Sequence, residues 1–252
     1  MTKPKIDVFS EGKTEKNISE QLARHGVLTE EFEERGGGGE KTMMTNFRLR
    51  LREWVKLQTD QRTSLRILLL RDLDMHEGKT IEDVCKSTIN IVCHHDSTAK
   101  LASHPTHENV FVLKTEMEGL HLALHIASKR YMDSFVKATI DDYVLRLAVL
   151  EKTVKALLQQ NRESGEKQNP KRTWEIEEVA FINKVLVEIP ALLSANKIPP
   201  LMEAKDYIRF YATLLQAHSS PATFAGKALS HADVQDIREV FASLLSTIQL
   251  LS

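Results

Sequence analysis

Two rhythms of hydrophobic and polar positions run along the chain, and they change over near residue 130. Before that point, short apolar runs alternate with helix-period stretches. Lys5–Ser10 predicts a strand, with Ile6, Val8 and Phe9 apolar. Glu15–His25 predicts a helix with Ile18 and Leu22 on one face, and Leu28 and Phe32, set among charges, predict a half-exposed strand. Four glycines, Gly36–Gly39, break the chain before a helix over Thr45–Leu57, where Phe47, Leu51, Trp54 and Val55 recur near i, i+4, i+7. The continuous apolar run Ile67–Leu70 fits a central strand covered on both faces. Thr80–Val92 predicts a helix, Val110–Leu113 a buried strand, and "EGLHLALHIASKR" a further helix. Strands separated by helices at this spacing imply βαβ units and a mostly parallel sheet.

After residue 130 the strand signals stop. "MDSFVKATIDDYVLRLAVLEKTVKALLQQ" has helical period, and "NRESGEKQNPKRT" predicts a polar loop. Trp174–Ala195 is helical, with Pro190 set to end or kink it. A turn at Pro199-Pro200 leads to another helix, and Pro221–Leu229 and Ala232–Leu250 predict two more. There is no internal repeat. The fold class expected is α/β, a mostly parallel sheet flanked by helices over residues 1–130, followed by an all-helical C-terminal domain over 131–252.

Composition narrows this picture only a little. A chain of 252 residues buries a core easily, and 42% hydrophobic with 27% charged residues is ordinary for a globular protein. The net charge of −1 is far from that of a protein that coats nucleic acid passively, yet it leaves room for local grip. Two cysteines, Cys85 and Cys93, read as buried thiols in a reducing compartment. The first residues, "MTKPKIDVF", lack the apolar stretch of a signal peptide, and no run reaches the roughly 18 apolar residues of a membrane helix. A cytoplasmic protein is expected.

The candidate chemistry begins with "FSEGKTE", where Gly12-Lys13-Thr14 raises the question of a phosphate-binding loop. A P-loop needs a second glycine five residues before Gly12, because backbone N–H groups must wrap the phosphates over the whole loop. That place holds Asp7, whose carboxylate would repel a triphosphate. The same residues recur at Glu77–Thr80 with Leu73 in the outer position, and "GGGGEKT" has Glu40 in the inner one and Arg35 in the outer. None of the three fits. Glu11 is then the informative residue, at the C-terminal end of the first strand. Asp72 and Asp74 stand at the C-terminal end of the strongest strand, where open α/β sheets bind ligands. They flank Leu73, so an extended backbone points both carboxylates the same way. Carboxylates held side by side suit a hard divalent cation such as Mg²⁺, with Glu11 as a further ligand or as an acid or base.

A strand ending in Glu-Gly, a later strand ending in Asp-x-Asp and an α/β frame between them resemble the Toprim domain of topoisomerases, DnaG-type primases and OLD-family nucleases. "EGKTE" is similar to the E-G-x-[TS]-E of OLD-like and RloB-like nucleases. The resemblance implies a metal role for Glu15 as well. It also implies one for Glu118, in "NVFVLKTEMEGLHLAL", as the residue opening a helix. Gly36–Gly39 followed by Lys41 resembles a glycine-rich segment of small members of this group. What the resemblance implies is a Toprim-like fold over about residues 1–130 and an enzyme that cleaves nucleic acid, DNA or RNA, with Mg²⁺ or Mn²⁺. Its catalytic residues would be Glu11, Asp72 and Asp74, its metal ligands those three with Glu15 and Glu118, and its substrate-binding residues Lys13, Lys41 and Lys205. The late lysine motif of OLD nucleases has no clear match; Lys205 and Lys227 are the candidates. OLD proteins carry an ATPase domain in the same chain, absent from these 252 residues. The expected partners are therefore an ATPase protein, in prokaryotic antiviral defence, and a second copy of the chain in a homo-oligomer. Two alternatives stand beside this: a non-catalytic interaction subunit with a vestigial site, and a Toprim enzyme of different chemistry, such as RNA maturation or nucleotidyl transfer.

Other residues carry weaker signals. Cys93, His94, His95, His104 and His107 crowd one segment without the spacing of a zinc finger. His76 follows Asp74 closely, and His121 and His125 stand at i, i+4 in a segment expected to be helical. Arg35, Lys41, Arg48, Arg50, Arg52 and Lys56 form the most basic stretch, either a solvated helix face or a seat for a phosphate backbone.

Overall fold

The computed structural model describes residues 5–24, 26–58, 61–74, 77–168, 176–215 and 220–252, with the backbone alone for Lys16 and 164–168. His76, the last five residues of the predicted polar loop (169–173) and the first two of the helix predicted from Trp174 lie outside these residues, and 161–168, expected in that loop, are helical. The chain divides into two compact units, one of Met1–Ser128 with Phe241–Ser252 and one of Lys129–Val240.

The first unit is an α/β structure around a six-stranded sheet in the order β2-β1-β3-β6-β5-β4. Strands β1 (Ile6–Ser10), β2 (Phe32–Glu34), β3 (Leu65–Asp72) and β6 (Leu120–Ala127) run parallel. Strand β5 (Val110–Lys114) is antiparallel to β6 and to β4 (Lys100–Ser103). The apolar runs explain the order. All of β1 and Leu65–Arg71 of β3 are buried, as continuous apolar runs are in central strands whose two faces are covered. The short β2, set among charges, stays at the edge. Helix α1 (Lys13–Arg24) buries Ile18 and Leu22, and helix α2 (Glu40–Lys56) buries Met43, Phe47, Leu51 and Trp54. Phe47 meets Phe9 of β1 edge-on at 5.7 Å between ring centres. At the far end of α2, Trp54 Nε1 donates to the Thr63 carbonyl at 2.8 Å, and Arg62 stacks over the indole. Helix α3 (Ile81–Cys93) starts at a capping box, in which Thr80 accepts from the Asp83 N–H and Asp83 accepts from the Thr80 N–H.

Residues 120–127, expected to be helical, form β6. Leu120, Leu122, Leu124 and Ile126 alternate with period two, and Gly119, at φ 82°, turns the chain into the strand. Ala123 and His125 lie on the other face of β6 and are buried as well, with His125 1% exposed. Strand β4 had no expectation; it lies within the segment that holds Cys93, His94, His95, His104 and His107.

The second unit contains α4 (Ile140–Ala148), α5 (Glu151–Gln168), α6 (Glu178–Asn183), α7 (Ile189–Ala195), α8 (Ala204–Leu214), α9 (Pro221–His231) and α10 (Val234–Val240). Tyr211 anchors it. Its hydroxyl donates to the Ala148 carbonyl at 2.7 Å, and its ring contacts Phe181 and Phe224, each at 5.0 Å. Pro190 falls in the first turn of α7, directly after a π-helical turn over Lys184–Glu188. The wide turn lets the helix pass a residue that has no N–H to offer. The last helix, α11 (Ala242–Gln249), belongs to the first unit rather than to the helical one, because its apolar face packs on β5 and β6.

His125 marks where α11 docks. Its Nε2 is 3.0 Å from Ser243 Oγ and 3.3 Å from Asn109 Nδ2, while Ser246 Oγ is 3.2 Å from His107 Nε2 and His107 stacks on His104. Burial first, and the nearby His107 second, push the His125 imidazole down to about 3. A lowered value means stability present above the ordinary histidine range and lost as pH falls from about 6.5 toward 3. At roughly 1.4 kcal/mol per pH unit, the stability of the wild type relative to His125→Gln should drop by about 2 kcal/mol between pH 7 and pH 5. Urea denaturation of both proteins at the two pH values measures it, and a difference that stays constant contradicts a neutral buried imidazole.

Candidate active site

The parallel pairing of β1 with β3 sets Ser10 beside Leu70, so the residues that follow each strand emerge at one edge of the sheet. Glu11 leaves β1 there, and its Oε1 lies 3.2 Å from Arg71 Nε and 3.4 Å from the Asp72 backbone N–H. Asp72 ends β3, and Asp74 follows after the buried Leu73, with both aspartates half-buried. Glu15, in the first turn of α1, is 3% exposed, and its carboxylate leans back over the loop: a Cβ on Gly12 would stand 3.1 Å from Glu15 Oε2. Glu11, Glu15, Asp72 and Asp74 thus share one edge of two neighbouring strands. Lys13 opens α1 and Lys41 lies one residue into α2, both exposed.

Glu118 is not with them. It sits in the turn before β6, whose Leu120 pairs with Leu65 at the start of β3. Asp72 is at the other end of that eight-residue strand, about 23 Å away at 3.3 Å per residue. The expectation failed because it took Glu118 to open a helix after β5, whereas a tight turn there reverses the chain into β6. Lys205 on α8 and Lys227 on α9 lie in the second unit. The histidine readings also change. As residues of a strand, His121 and His125 are about 13 Å apart along the chain and cannot share an ion. Among the described residues no group of three or more His, Cys, Asp and Glu side chains is gathered in a form ready for a metal ion.

Two features of the edge change its reading: one, an arginine, had no counterpart among the sequence expectations, and the other, the glycine segment, stood there only as a chain break and a point of resemblance. The first is Arg71, whose side chain is 2% exposed. Besides Glu11 it contacts Glu40 of α2 and reaches Met44 Sδ at 3.3 Å and Ser87 Oγ at 3.4 Å. Glu40 in turn holds Lys79 Nζ at 2.9 Å. Charges alternate along this chain: Glu11, Arg71, Glu40, Lys79. Half-burial raises the cost of the Glu40 charge, but the Lys79 hydrogen bond and the Arg71 charge outweigh it and hold Glu40 below its ordinary range. Glu11 goes the other way despite its ion pair: burial outweighs the Arg71 charge, and its carboxyl is raised. An arginine ending an otherwise apolar run, "ILLLR", is the signal that could have found it.

The second feature is the glycine segment. It continues the β2 ladder along β1: Arg35 N–H donates to the Val8 carbonyl, Gly37 N–H to Ser10 and Gly39 N–H to Glu11, at 2.8, 2.8 and 3.0 Å. At Gly36 the chains touch so closely that a Cβ would fall 2.3 Å from Ser10 N. Gly39, at φ 87°, then turns into α2. The glycines therefore clamp the backbone of Glu11. Asp7, at the place where a P-loop would have glycine, binds Arg35 Nε at 2.9 Å and Arg50 Nε at 2.6 Å. These two arginines fasten β1 to its neighbours and so leave the basic stretch.

No family model matches the chain, and no curated protein matches it. Among solved structures, the chain is similar to the crystal structure of the hypothetical protein PH0156 from Pyrococcus horikoshii OT3, at 12% identity and a TM-score of 0.52, over 98% of this chain and 95% of that one. The likeness extends to the fold alone.

Two stability effects follow from this edge. Arg71→Met should cost about 3–5 kcal/mol, because it strands two carboxylates. Adding Glu11→Gln should recover part of that loss, and chemical denaturation of the two single variants and the double variant gives the coupling. Strictly additive losses would show that Arg71 and Glu11 do not interact. Gly36→Ala should cost about 3 kcal/mol or more by forcing β2 away from β1, read as a fall in Tm.

Proposed function

We propose that this chain is a metal-dependent phosphodiesterase acting on nucleic acid, with a Toprim-like sheet as its catalytic frame and a helical C-terminal part. One observation carries the reading. Glu11 and the Asp72-Leu73-Asp74 motif leave adjacent parallel strands at the same edge, close enough for the Glu11 carboxylate to reach the Asp72 N–H. The donor set suits Mg²⁺ or Mn²⁺, since every candidate ligand is a carboxylate oxygen. The electrostatics suit it too, because the half-buried Glu11 remains undercompensated by Arg71 and a further cation near it would stabilise its charge.

Glu11, Asp72 and Asp74 would hold the ion, with Glu15 behind the loop. When bound, such an ion supplies a Lewis acid for the phosphodiester and lowers the pKa of water. The chain's own residues do the rest. The glycine clamp fixes Glu11, and Arg71 keeps its carboxylate turned toward Asp72. Lys13, exposed at the N-terminus of α1, would take a phosphate oxygen. An ATPase partner in antiviral defence belongs to the same proposal, and Lys205 is left without a part in it.

A second reading, a non-catalytic interaction subunit, draws on the ion pair of Glu11 with Arg71, which already gives the carboxylate a counter-charge. The two readings separate cleanly. Asp72→Asn should lower cleavage of DNA or RNA at millimolar Mn²⁺ by at least about 100-fold, whereas Lys13→Ala should weaken substrate binding yet leave a basal activity, with no requirement for ATP. Millimolar Mn²⁺ should also raise the wild-type Tm, with about 2.7 kcal/mol gained at 100 times Kd, and should do so less in Asp72→Asn. Full-rate cleavage by Asp72→Asn would remove the mechanism, and a wild type that neither cleaves nor responds to metal favours the interaction subunit.

A further inference from the structure

The outer face of α2 holds a feature that the carboxylate edge does not use. Lys41, Arg48, Arg52 and Lys56 are all exposed, as is Thr45 among them. At 100° per residue these five positions fall within about 80° of the helix circumference, so they make a single stripe. It runs about 22 Å along the helix at 1.5 Å per residue. Unlike Arg35 and Arg50, which Asp7 engages, none of these four cations has an ion-pair partner among the described residues. Glu53 is exposed to one side, and the stripe remains strongly positive.

Folding does not call for this arrangement. Arg48 and Arg52, and Arg52 and Lys56, are like-charge i, i+4 pairs, which weaken a helix. The apolar face of α2 is on the opposite side, where Met43, Phe47, Leu51 and Trp54 are buried. The direction of the stripe is informative as well. Its Lys41 end follows Glu40, which contacts Arg71, and Gly39, which bonds to the Glu11 carbonyl. Its Lys56 end lies by the start of β3, where Trp54 bonds to Thr63. The row of cations thus starts at the acidic edge and leads away from it.

We propose that this stripe is a track for the phosphate backbone of a nucleic acid, delivering the strand to the carboxylate edge; it rests on the nuclease reading for what happens at that edge, but not for the binding itself. The aromatic residues of α2, Phe47 and Trp54, are buried, so the helix offers no platform for stacking bases. Contact is to phosphates alone, independent of sequence and strongly dependent on salt.

The test is fluorescence anisotropy of the full chain with a labelled duplex and a labelled single strand, in EDTA so that no cleavage occurs, between 50 and 200 mM salt. With four phosphates neutralised, the slope of log Kobs against log[salt] on duplex should be about −3.6. Arg48→Gln with Arg52→Gln should reduce that slope by about 1.8 and weaken binding at least tenfold, with Tm unchanged or raised. Lys100→Gln with Lys114→Gln, exposed positions on β4 and β5, should leave both unchanged. An unchanged slope in the α2 variant, or an equal loss in the β4–β5 variant, overturns the track. So does α2-dependent binding to phosphatidylserine vesicles but not to nucleic acid, since Leu49 and Leu57 beside the stripe are also exposed. Asp72→Asn should bind like the wild type. A chain that binds through α2 and never cleaves supports the track while removing the nuclease; one that cleaves and binds without α2 does the reverse.

Discussion

A buried guanidinium ties the first unit together at the place where its chemistry is proposed to lie. Arg71 leaves β3 among apolar residues and meets carboxylates from two other elements, Glu11 beyond β1 and Glu40 at the start of α2. Three backbone segments converge on it, and each depends on the others for charge balance. A charge buried this deeply is tolerated only when paired, and breaking one partner is far more damaging than losing a surface ion pair. The balance is unequal: Glu40, helped by Lys79, is held firmly ionised, while Glu11 is left at the point where burial wins over its partner.

The glycine segment supplies the other half of the support. A ladder that would have ended with β2 is carried three residues further by backbone bonds to Val8, Ser10 and Glu11. Side chains would prevent so close an approach, which gives Gly36 its steric reason. Glu11 is thereby fixed through its backbone by the glycines and through its carboxylate by Arg71. A residue held at both ends loses little further freedom on engaging a ligand, which is the physical content of preorganisation.

How much of this was legible in the residues depended on whether the controlling interaction was local. The strands β1 and β3 were readable because their apolar runs are continuous, and the acidic edge followed from where those runs stop. The position of Glu118 was not readable, because it turns on β6, whose period-two row of Leu120, Leu122, Leu124 and Ile126 was taken for a helical pattern while its second face, Ala123 and His125, is buried as well. Arg71 was visible as an oddity but not as a partner of Glu11 and Glu40, since those contacts form only after three separate elements are assembled. The same is true of Asp7: as a sequence position it argued against a P-loop, and only the fold reveals what it binds. Helix α11 had a clear amphipathic pattern, yet nothing in that pattern named β5 and β6 as its cover.

The route of the chain through the first unit also bears on how the protein is made. The sheet is complete in order once β6 has been synthesised, at Ala127, but the helix that covers β5 and β6 is not translated until residue 242. Topologically the second unit is an insertion between a strand and the helix that seals it. During synthesis, the apolar surface of β5 and β6 therefore waits uncovered for the length of an entire helical unit. Closing it joins residues more than a hundred positions apart, which places the last step of assembly among the slow, non-local ones.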